Sequence, residues 1–163
     1  MKILSPRGLV TAAVIAALYA ALTLLLAPIS YGVVQFRLSE ALTILPIFTP
    51  FAIPGLFIGC LLANLLGGLG IWDVFLGSLT TLIAAVCTYY VRKNVFLALL
   101  PPVVFNAVII GMMIFFLSFT PPYDFSLAWP FVGSVGLGQL VSVCLAGGAL
   151  YLALKKHREK IFG

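Results

Sequence analysis

Two oppositely charged residues, Arg37 and Glu40, lie three positions apart in a chain of 163 residues of which only 8% are charged. Three positions are a little under one helical turn, so we expect both side chains on one face at the start of an apolar helix. Ionisable groups at membrane depth are costly unless they pair, face a protein interior or meet a ligand. The pair therefore indicates a binding site.

Other polar residues could join this site. A glycine-rich turn, GGLGIWD, ends in an aromatic residue and a carboxylate, and three amides interrupt otherwise apolar segments. Each amide alone is more often a helix-packing contact, so only their convergence on one site would indicate binding. The charged groups could instead cap helices or anchor loops, as we expect for Asp124. With Arg37 and Glu40, the candidates are Tyr31, Gln35, Asn64, Trp72, Asp73, Asn106 and Gln139.

The composition identifies the class of protein that must position these residues. Hydrophobic residues make up 63% of the chain, and the mean hydropathy is +1.24. These values exclude an ordinary soluble domain. One span needs about 20 apolar residues, so the length allows about six crossings and no soluble catalytic domain. We predict an all-α integral membrane protein with one domain over residues 1–163.

Prolines and charges divide the apolar sequence into segments. Pro46, Pro50 and Pro54 break the run that follows Glu40 into two helices. The first segment is longer than a secretory core of about 7–15 residues, and more spans follow it, so we interpret it as a helix. The predicted spans are approximately residues 9–27, 38–48, 52–67, 74–91, 95–117 and 131–154.

The distribution of positive charge agrees with six crossings. Basic residues favour the cytoplasmic side of short loops. They share one side if four spans precede Arg92 and two follow it, which places both termini in the cytoplasm. The outer ends of the spans then carry Arg37, Glu40, Asp73 and Asp124. This net acidic face would favour a ligand with a positive charge or several hydrogen-bond donors.

Small residues recur along the first predicted helix. Ala12, Ala16 and Ala20 are spaced by four residues, and a second alanine row lies beside them at positions 13, 17 and 21. Such a smooth surface lets another helix approach closely. The pattern predicts a helix contact, either with a partner protein or within the bundle.

These features together resemble a known family. The segment VQFRLSEALTILP, the alanine-patterned first helix and the GGLGIWD turn are similar to those of the QueT family, predicted transporters of queuosine precursors. This family belongs to the substrate-binding S components of energy-coupling factor (ECF) transporters. The resemblance implies a six-helix, ECF S-component-like bundle in the cell membrane that captures queuine or a related 7-deazaguanine.

The resemblance also implies partners. A transmembrane coupling protein and two cytoplasmic ATPases would drive transport, so we expect no enzyme activity, cofactor or metal in this chain. The absence of a Walker A motif agrees with this division. The row of Ala12, Ala16 and Ala20 would face the coupling protein.

The candidate residues suit such a ligand. Glu40 could accept the adjacent N–H groups of a guanine-like edge. Arg37 could donate to the ring carbonyl or orient Glu40. Asp73 could meet the ammonium of a precursor's aminomethyl arm, while Trp72 and Tyr31 stack on the ring. Amides both donate and accept, so Asn64, Asn106 and Gln139 complete the predicted substrate-binding set.

Other functions have less support. An S component for another vitamin would share the layout, and a self-sufficient secondary carrier should show internal repeats, of which we see no clear case. His157 stands in the basic tail KKHREK, and the three cysteines lack metal-site spacing. The tail suits anionic headgroups or a cytoplasmic partner, with no case for nucleic acid.

Overall fold

The computed structural model describes residues 5–30, 36–68, 70–157 and 161, which form helices and short connections with no β-strand among them. The predicted all-helical architecture is thereby confirmed. The helices are α1 (Pro6–Leu25), α2 (Ala27–Ser30), α3 (Leu38–Ile47), α4 (Ala52–Leu66), α5 (Asp73–Tyr90), α6 (Val95–Ser118) and α7 (Phe125–Lys155).

Length and apolar character make four of these helices candidate membrane spans. They are α1, α5, α6 and α7, whereas α3 and α4 are apolar but shorter. Large apolar side chains cover the outside of the bundle, including Leu25 at 79% exposure and Phe96 at 83%. A surface of this kind suits a hydrocarbon environment.

Helix α6 contains prolines, and a side chain of α5 replaces a backbone hydrogen bond that one of them removes. Pro102 has no N–H group, so the carbonyl of Ala98 one turn earlier loses its helical donor. The hydroxyl of Thr88 on α5 donates to this carbonyl oxygen at 3.2 Å. The side chain of Asn94 caps the start of α6 by accepting from the N–H groups of Phe96 and Leu97. The Thr88 bond thus connects α5 to α6, and the Asn94 cap fixes the point at which α6 begins.

Helix α3 is a 3₁₀-helix of ten residues, and eight of them are buried. Runs of this helix type beyond about four residues are uncommon and often mark functional segments. The 3₁₀ rise of about 2.0 Å per residue carries the chain farther than an α-helix of equal length. The extended geometry lets a short segment pass through the interior of the bundle.

Glycines on α4 bring this helix close to α1. A Cβ atom at Gly55 would lie 2.7 Å from the Ala12 carbonyl oxygen, and one at Gly59 would lie 2.9 Å from that of Ala16. Gly8, at the start of α1, similarly contacts the Phe51 ring just before α4. Because the contact positions advance together, α1 and α4 run parallel. Helix α3, which connects them in sequence, must return in the opposite direction.

Helices α6 and α7 form an antiparallel pair on the other side of the bundle. Gly111 packs against Val132, and Gly136 packs against Ala107. Further along α7, a Cβ atom at Gly147 would lie 3.3 Å from the Ala41 carbonyl oxygen. This close approach seats α7 against α3, next to Glu40.

Basic side chains gather at one end of the bundle, here called the basic end and comprising residues 7–8, 47–51, 92–95 and 151–157. Gly8 contacts Phe51 there. A shared cavity connects Phe48 with Arg92 and Lys155. The starts of α1, α4 and α6 therefore lie together with the end of α7. Asn64, Asp73 and Asp124 lie toward the opposite ends of their helices.

Candidate functional site

The carboxyl group of Glu40 lies inside the bundle, with the residue only 1% exposed. It belongs to the first turn of α3, where its backbone N–H donates to the Arg37 carbonyl at 3.0 Å. The phenol of Tyr19 on α1 donates a hydrogen bond to Oε1. The second carboxyl oxygen, Oε2, is buried without a partner among the described residues. Glu40 therefore has one oxygen fixed by Tyr19 and one buried acceptor without a partner among the described residues.

A line of hydroxyl groups supports Tyr19 from the next turn of α1. The Thr23 hydroxyl lies 2.8 Å from the Tyr19 carbonyl oxygen and 2.6 Å from Oγ of Ser39. It can donate to the carbonyl and accept from Ser39. The three residues are fully buried. This network fixes the register between α1 and the start of α3, and so the position of Glu40.

Arg37 joins three segments at the end of the bundle opposite the basic end. The residue is 6% exposed, and its Nε group donates to the Ser30 carbonyl oxygen at 3.4 Å. Its Nη1 group donates to Oδ1 of Asn64 on α4 at 3.3 Å. The guanidinium also lies within Coulombic range of Glu40 and Asp73. Arg37 is thus a buried cation that hydrogen-bonds to α2 and α4 and acts electrostatically on two carboxyl groups.

Asn64 continues these contacts to α5. Its Nδ2 group donates to the Asp73 backbone carbonyl at 2.9 Å and lies 3.5 Å from the Cys60 sulfur atom. Gly77 makes room for this amide, because a Cβ atom there would lie 2.8 Å from Nδ2. The Thr81 hydroxyl approaches the same sulfur atom at 3.3 Å. The amide is therefore held from both sides.

Three of the predicted polar residues stand where a helix widens into a π-helical segment. Such segments occur at Asp73–Gly77, Asn106–Ile110 and Leu140–Gly147, the last directly after Gln139. π-Helical turns are rare and frequently occur at functional sites. The coincidence singles out these positions in helices that are otherwise regular and apolar.

The two amides on α6 and α7 are satisfied to different degrees. Nδ2 of Asn106 donates to the Pro102 carbonyl oxygen of its own helix at 2.8 Å. Gln139 is 3% exposed, and its Oε1 atom has no partner among the described residues. Gln139 is therefore the better placed of the two to bind a ligand.

Buried polar atoms without partners are rare in native proteins and cost about 1–3 kcal/mol each. Four buried side-chain oxygens in the described part of the chain have no hydrogen-bond partner. They are a carboxyl oxygen of Glu40, the amide oxygen of Gln139 and the hydroxyl oxygens of Ser30 and Ser78. The first two can accept hydrogen bonds, and the hydroxyls can also accept. The unsatisfied atoms thus favour a ligand rich in N–H donors.

The remaining acidic and aromatic candidates lie nearer the surface. Trp72 is 56% exposed, and Asp73 is half-buried. The Asp124 carboxylate caps the start of α7 by accepting from the Ser126 N–H at 3.0 Å. Hydrogen bonding to Ser126 lowers the pKa of this exposed acid. Asp124 therefore has the capping role expected from the sequence.

The structure brings part of the predicted set together. Hydrogen bonds connect Arg37 to Asn64 and Asn64 to the backbone of Asp73. Arg37 also acts electrostatically on Glu40 and Asp73, whereas Trp72 is exposed. Tyr31 and Gln35 lie outside the described residues. The sequence interpretation missed Tyr19, Thr23, Ser39 and the hydrogen-bonding role of Cys60. Tyr19 and Thr23, one helical turn apart in an apolar segment, were the signal that could have identified them.

The two alanine rows of α1 have different surroundings. Ala16 and Ala20 are buried, and the backbone oxygens of Ala12 and Ala16 face the glycines of α4. The row at positions 13, 17 and 21 is exposed. Ala12, Ala16 and Ala20 thus serve helix packing within the chain, which was one of the two expected uses of the pattern.

Comparison with known proteins gives two matches. The sequence model of the family described as QueT transporter matches residues 9–156. A protein named queuosine precursor transporter QueT, from Lactococcus lactis subsp. cremoris (strain MG1363), is 41% identical over 85 residues, which cover 51% of this chain and 50% of that protein. The match thus spans about half the length of this relative. No solved structure matches the chain significantly.

Proposed function

The chain belongs to the QueT transporter family, and from this premise we propose that it is the membrane-embedded S component of an ATP-driven ECF importer for a queuosine precursor. Membership in a transporter family makes it a membrane transport protein rather than an enzyme. The ligand class we propose is a 7-deazaguanine, such as queuine or a biosynthetic precursor, captured from outside and released inside the cell.

The open acceptor on Glu40 carries this proposal. Tyr19 holds Oε1 of the carboxyl group, while Oε2 is buried without a partner among the described residues. A guanine-type ring offers a ring N–H and an exocyclic amine side by side. Oε2 can accept one of these donors, and the second lone pair of Oε1 can accept the other. Such charge-assisted bonds are roughly twice as strong as neutral ones. Binding would satisfy an atom that is otherwise costly to bury.

Neighbouring residues would complete recognition. Arg37 acts electrostatically on the carboxyl groups of Glu40 and Asp73 and is held by hydrogen bonds to Asn64 and Ser30. It would position Glu40 or donate to the ring carbonyl. Asp73 is only half-buried. It would meet the positively charged arm of an aminomethyl precursor. Trp72, which is exposed, would cover the ring together with Tyr31.

The packing of α1 against α4 supports six crossings. Because these helices run parallel, the chain must return between them, and the ten-residue 3₁₀-helix α3 is the segment that does so. With α3 and α4 counted as spans, the basic end faces one side throughout. The positive-inside tendency then makes that side cytoplasmic, with both termini there and the Arg37 end outside.

The exposed alanine row offers a surface for the coupling protein. Ala12, Ala16 and Ala20 are occupied by packing against α4 or lie toward it, whereas Ala13, Ala17 and Ala21 face outward. Small side chains permit close helix contact in a membrane. We infer that this outward row, rather than the buried one, meets the transmembrane coupling protein, with the two ATPases bound beneath it.

Binding of purified full-length protein to a panel of ligands tests the proposal. We expect queuine or its aminomethyl precursor to bind more tightly than guanine, riboflavin or thiamine. Tighter binding of another vitamin would overturn the substrate assignment in favour of a different S component. Uptake into proteoliposomes that lack ATPases would instead support the self-sufficient carrier.

A further inference from the structure

A polar cavity lies at the basic end, where α3 ends, whereas Glu40 lies in the first turn of α3. Its volume is about 500 Å³, and three of its lining residues are the cations Arg92, Lys93 and Lys155. The rings of Phe48 and Tyr151 form an adjacent wall. None of the residues that line the cavity is acidic. The transport site proposed above makes no use of this cavity.

Three separate parts of the chain build the cavity: the end of α3, the α5–α6 turn and the last turn of α7. The rings of Phe48 and Tyr151 stack with centroids 5.4 Å apart, which joins α3 to α7. The guanidinium of Arg92 lies over the Tyr89 ring at 3.8 Å and donates to the Tyr89 carbonyl oxygen at 3.5 Å. The Arg92 cation is thus held against Tyr89 in the last turn of α5.

Among the described residues, no carboxyl group lies near these three cations. The carboxyl groups of the described residues belong to Glu40, Asp73 and Asp124, each toward the opposite end of its helix. Asp73 starts α5, whose 18 residues span about 27 Å before the Arg92 turn. Three like charges around one cavity repel each other, and a bound anion would remove that repulsion.

The donor chemistry identifies the anion. A guanidinium pairs with phosphate oxygens through parallel N–H groups, and lysines add point charges. The Tyr151 phenol can donate one further bond. The residues that follow the lining residues Val95 and Tyr151 in the sequence, Phe96 and Leu152, are 83% and 67% exposed, so large apolar side chains border this part of the surface. A phosphate that carries hydrocarbon chains suits both the charged cavity and its border.

We propose that this cavity binds the phosphate headgroup of an anionic phospholipid. Basic pockets between helices at a membrane surface are suited to such headgroups. The bound lipid would link α3, the α5–α6 turn and α7 at the end of the bundle opposite the substrate site. Free phosphate shares the same chemistry but lacks the chains that the apolar border would contact.

The test uses delipidated full-length protein in a non-ionic detergent, with the melting temperature as readout. We expect phosphatidylglycerol to raise the melting temperature saturably and phosphatidylcholine to leave it unchanged. Inorganic phosphate should act only at much higher concentration. An equal effect of inorganic phosphate would overturn the lipid assignment, and no effect of phosphatidylglycerol would overturn the site.

Substitutions of the lining cations test whether stabilisation by phosphatidylglycerol depends on the cavity. Each cation near an anionic headgroup contributes roughly a fivefold gain in affinity, so the triple variant R92Q/K93Q/K155Q should need roughly 100-fold more phosphatidylglycerol for half saturation. K156Q removes the neighbouring lysine outside the cavity and should retain the wild-type titration. If the triple variant does not fold, the single variants K93Q and K155Q should each show roughly a fivefold change. An unchanged titration in these variants would refute the proposal.

Measuring precursor binding in the same variants distinguishes a failure of the proposed lipid site from a failure of the proposed transport function. The cavity and Glu40 lie toward opposite ends of the bundle, so the single variants K93Q and K155Q should bind the queuosine precursor as the wild type does. Loss of lipid stabilisation with intact precursor binding supports the lipid site alone. Loss of precursor binding in the same variants would contradict the separation of the two sites.

Discussion

Tyr19 on α1 donates its phenolic hydrogen bond to Oε1 of Glu40 on α3, in the interior of the bundle. Both residues are almost fully buried, and the other carboxyl oxygen has no partner in the described part of the chain. The bond orients the carboxyl group and leaves Oε2 as the acceptor that we propose a ligand uses. The bond therefore couples α1, which orients the carboxyl group, directly to α3, which carries it.

Replacing Glu40 with Gln should weaken precursor binding by roughly 10- to 100-fold. The amide keeps the size of the side chain but loses the charge and one of two acceptors, which removes about 1.5–3 kcal/mol of charge-assisted bonding. Titration calorimetry with purified protein measures the change. D124N is the matched control, since Asn also caps helices and Asp124 lies outside the proposed site. Equal affinities of E40Q and wild type would contradict the assigned role.

Replacing Tyr19 with Phe should lower both ligand affinity and stability. The variant leaves Oε1 of Glu40 buried without its donor, which costs about 1–3 kcal/mol and should lower the melting temperature by roughly 5 °C. The control is Y90F, because Tyr90 is 79% exposed. A Y19F protein that binds the precursor and melts like the wild type would show that the bond does not position Glu40.

Much of the fold follows from local sequence. The chain breaks between α3 and α4 at Pro50, as proline's covalent structure predicts, whereas Pro46 lies within α3 and Pro54 lies in the first turn of α4. The 3₁₀ geometry of α3 and the π-helical segments could not be predicted in this way. They depend on how neighbouring helices pack, as where Gly147 meets the Ala41 carbonyl.

The site was partly predictable for a similar reason. Arg37 and Glu40 stand out because charges are rare in this chain. Tyr19 is less conspicuous, since a tyrosine in an apolar helix fits both a membrane surface and an interior. Which alanine row of α1 is buried depends on the rotation of the helix, and the glycines of α4 determine that rotation. Such pairings between distant segments are visible only in three dimensions.

Replacing Gly77 with Ala should destabilise the site through Asn64. The added Cβ atom would lie 2.8 Å from Nδ2 of Asn64, so the amide must move and lose its bond to the Asp73 carbonyl. Overpacking of this kind costs about 1–3 kcal/mol. G148A is the control, because Gly148 is also helical and has nothing within 4 Å of the added atom. Melting curves should show a lower melting temperature for G77A than for the wild type and G148A. Identical curves would refute the close packing of Asn64 against Gly77.

Replacing Ala17 with Trp should separate substrate binding from transport. Ala17 is exposed on α1, and its row is the surface we propose for the coupling protein. A large side chain there would keep the helices of the coupling protein apart, since close contact needs small residues. We expect unchanged precursor binding by the isolated protein and loss of ATP-driven uptake when the coupling protein and ATPases are present. L145W, on an exposed position of α7, should retain uptake. Full uptake by A17W would exclude this row as the coupling surface, whereas weaker precursor binding would indicate that the row supports the fold instead.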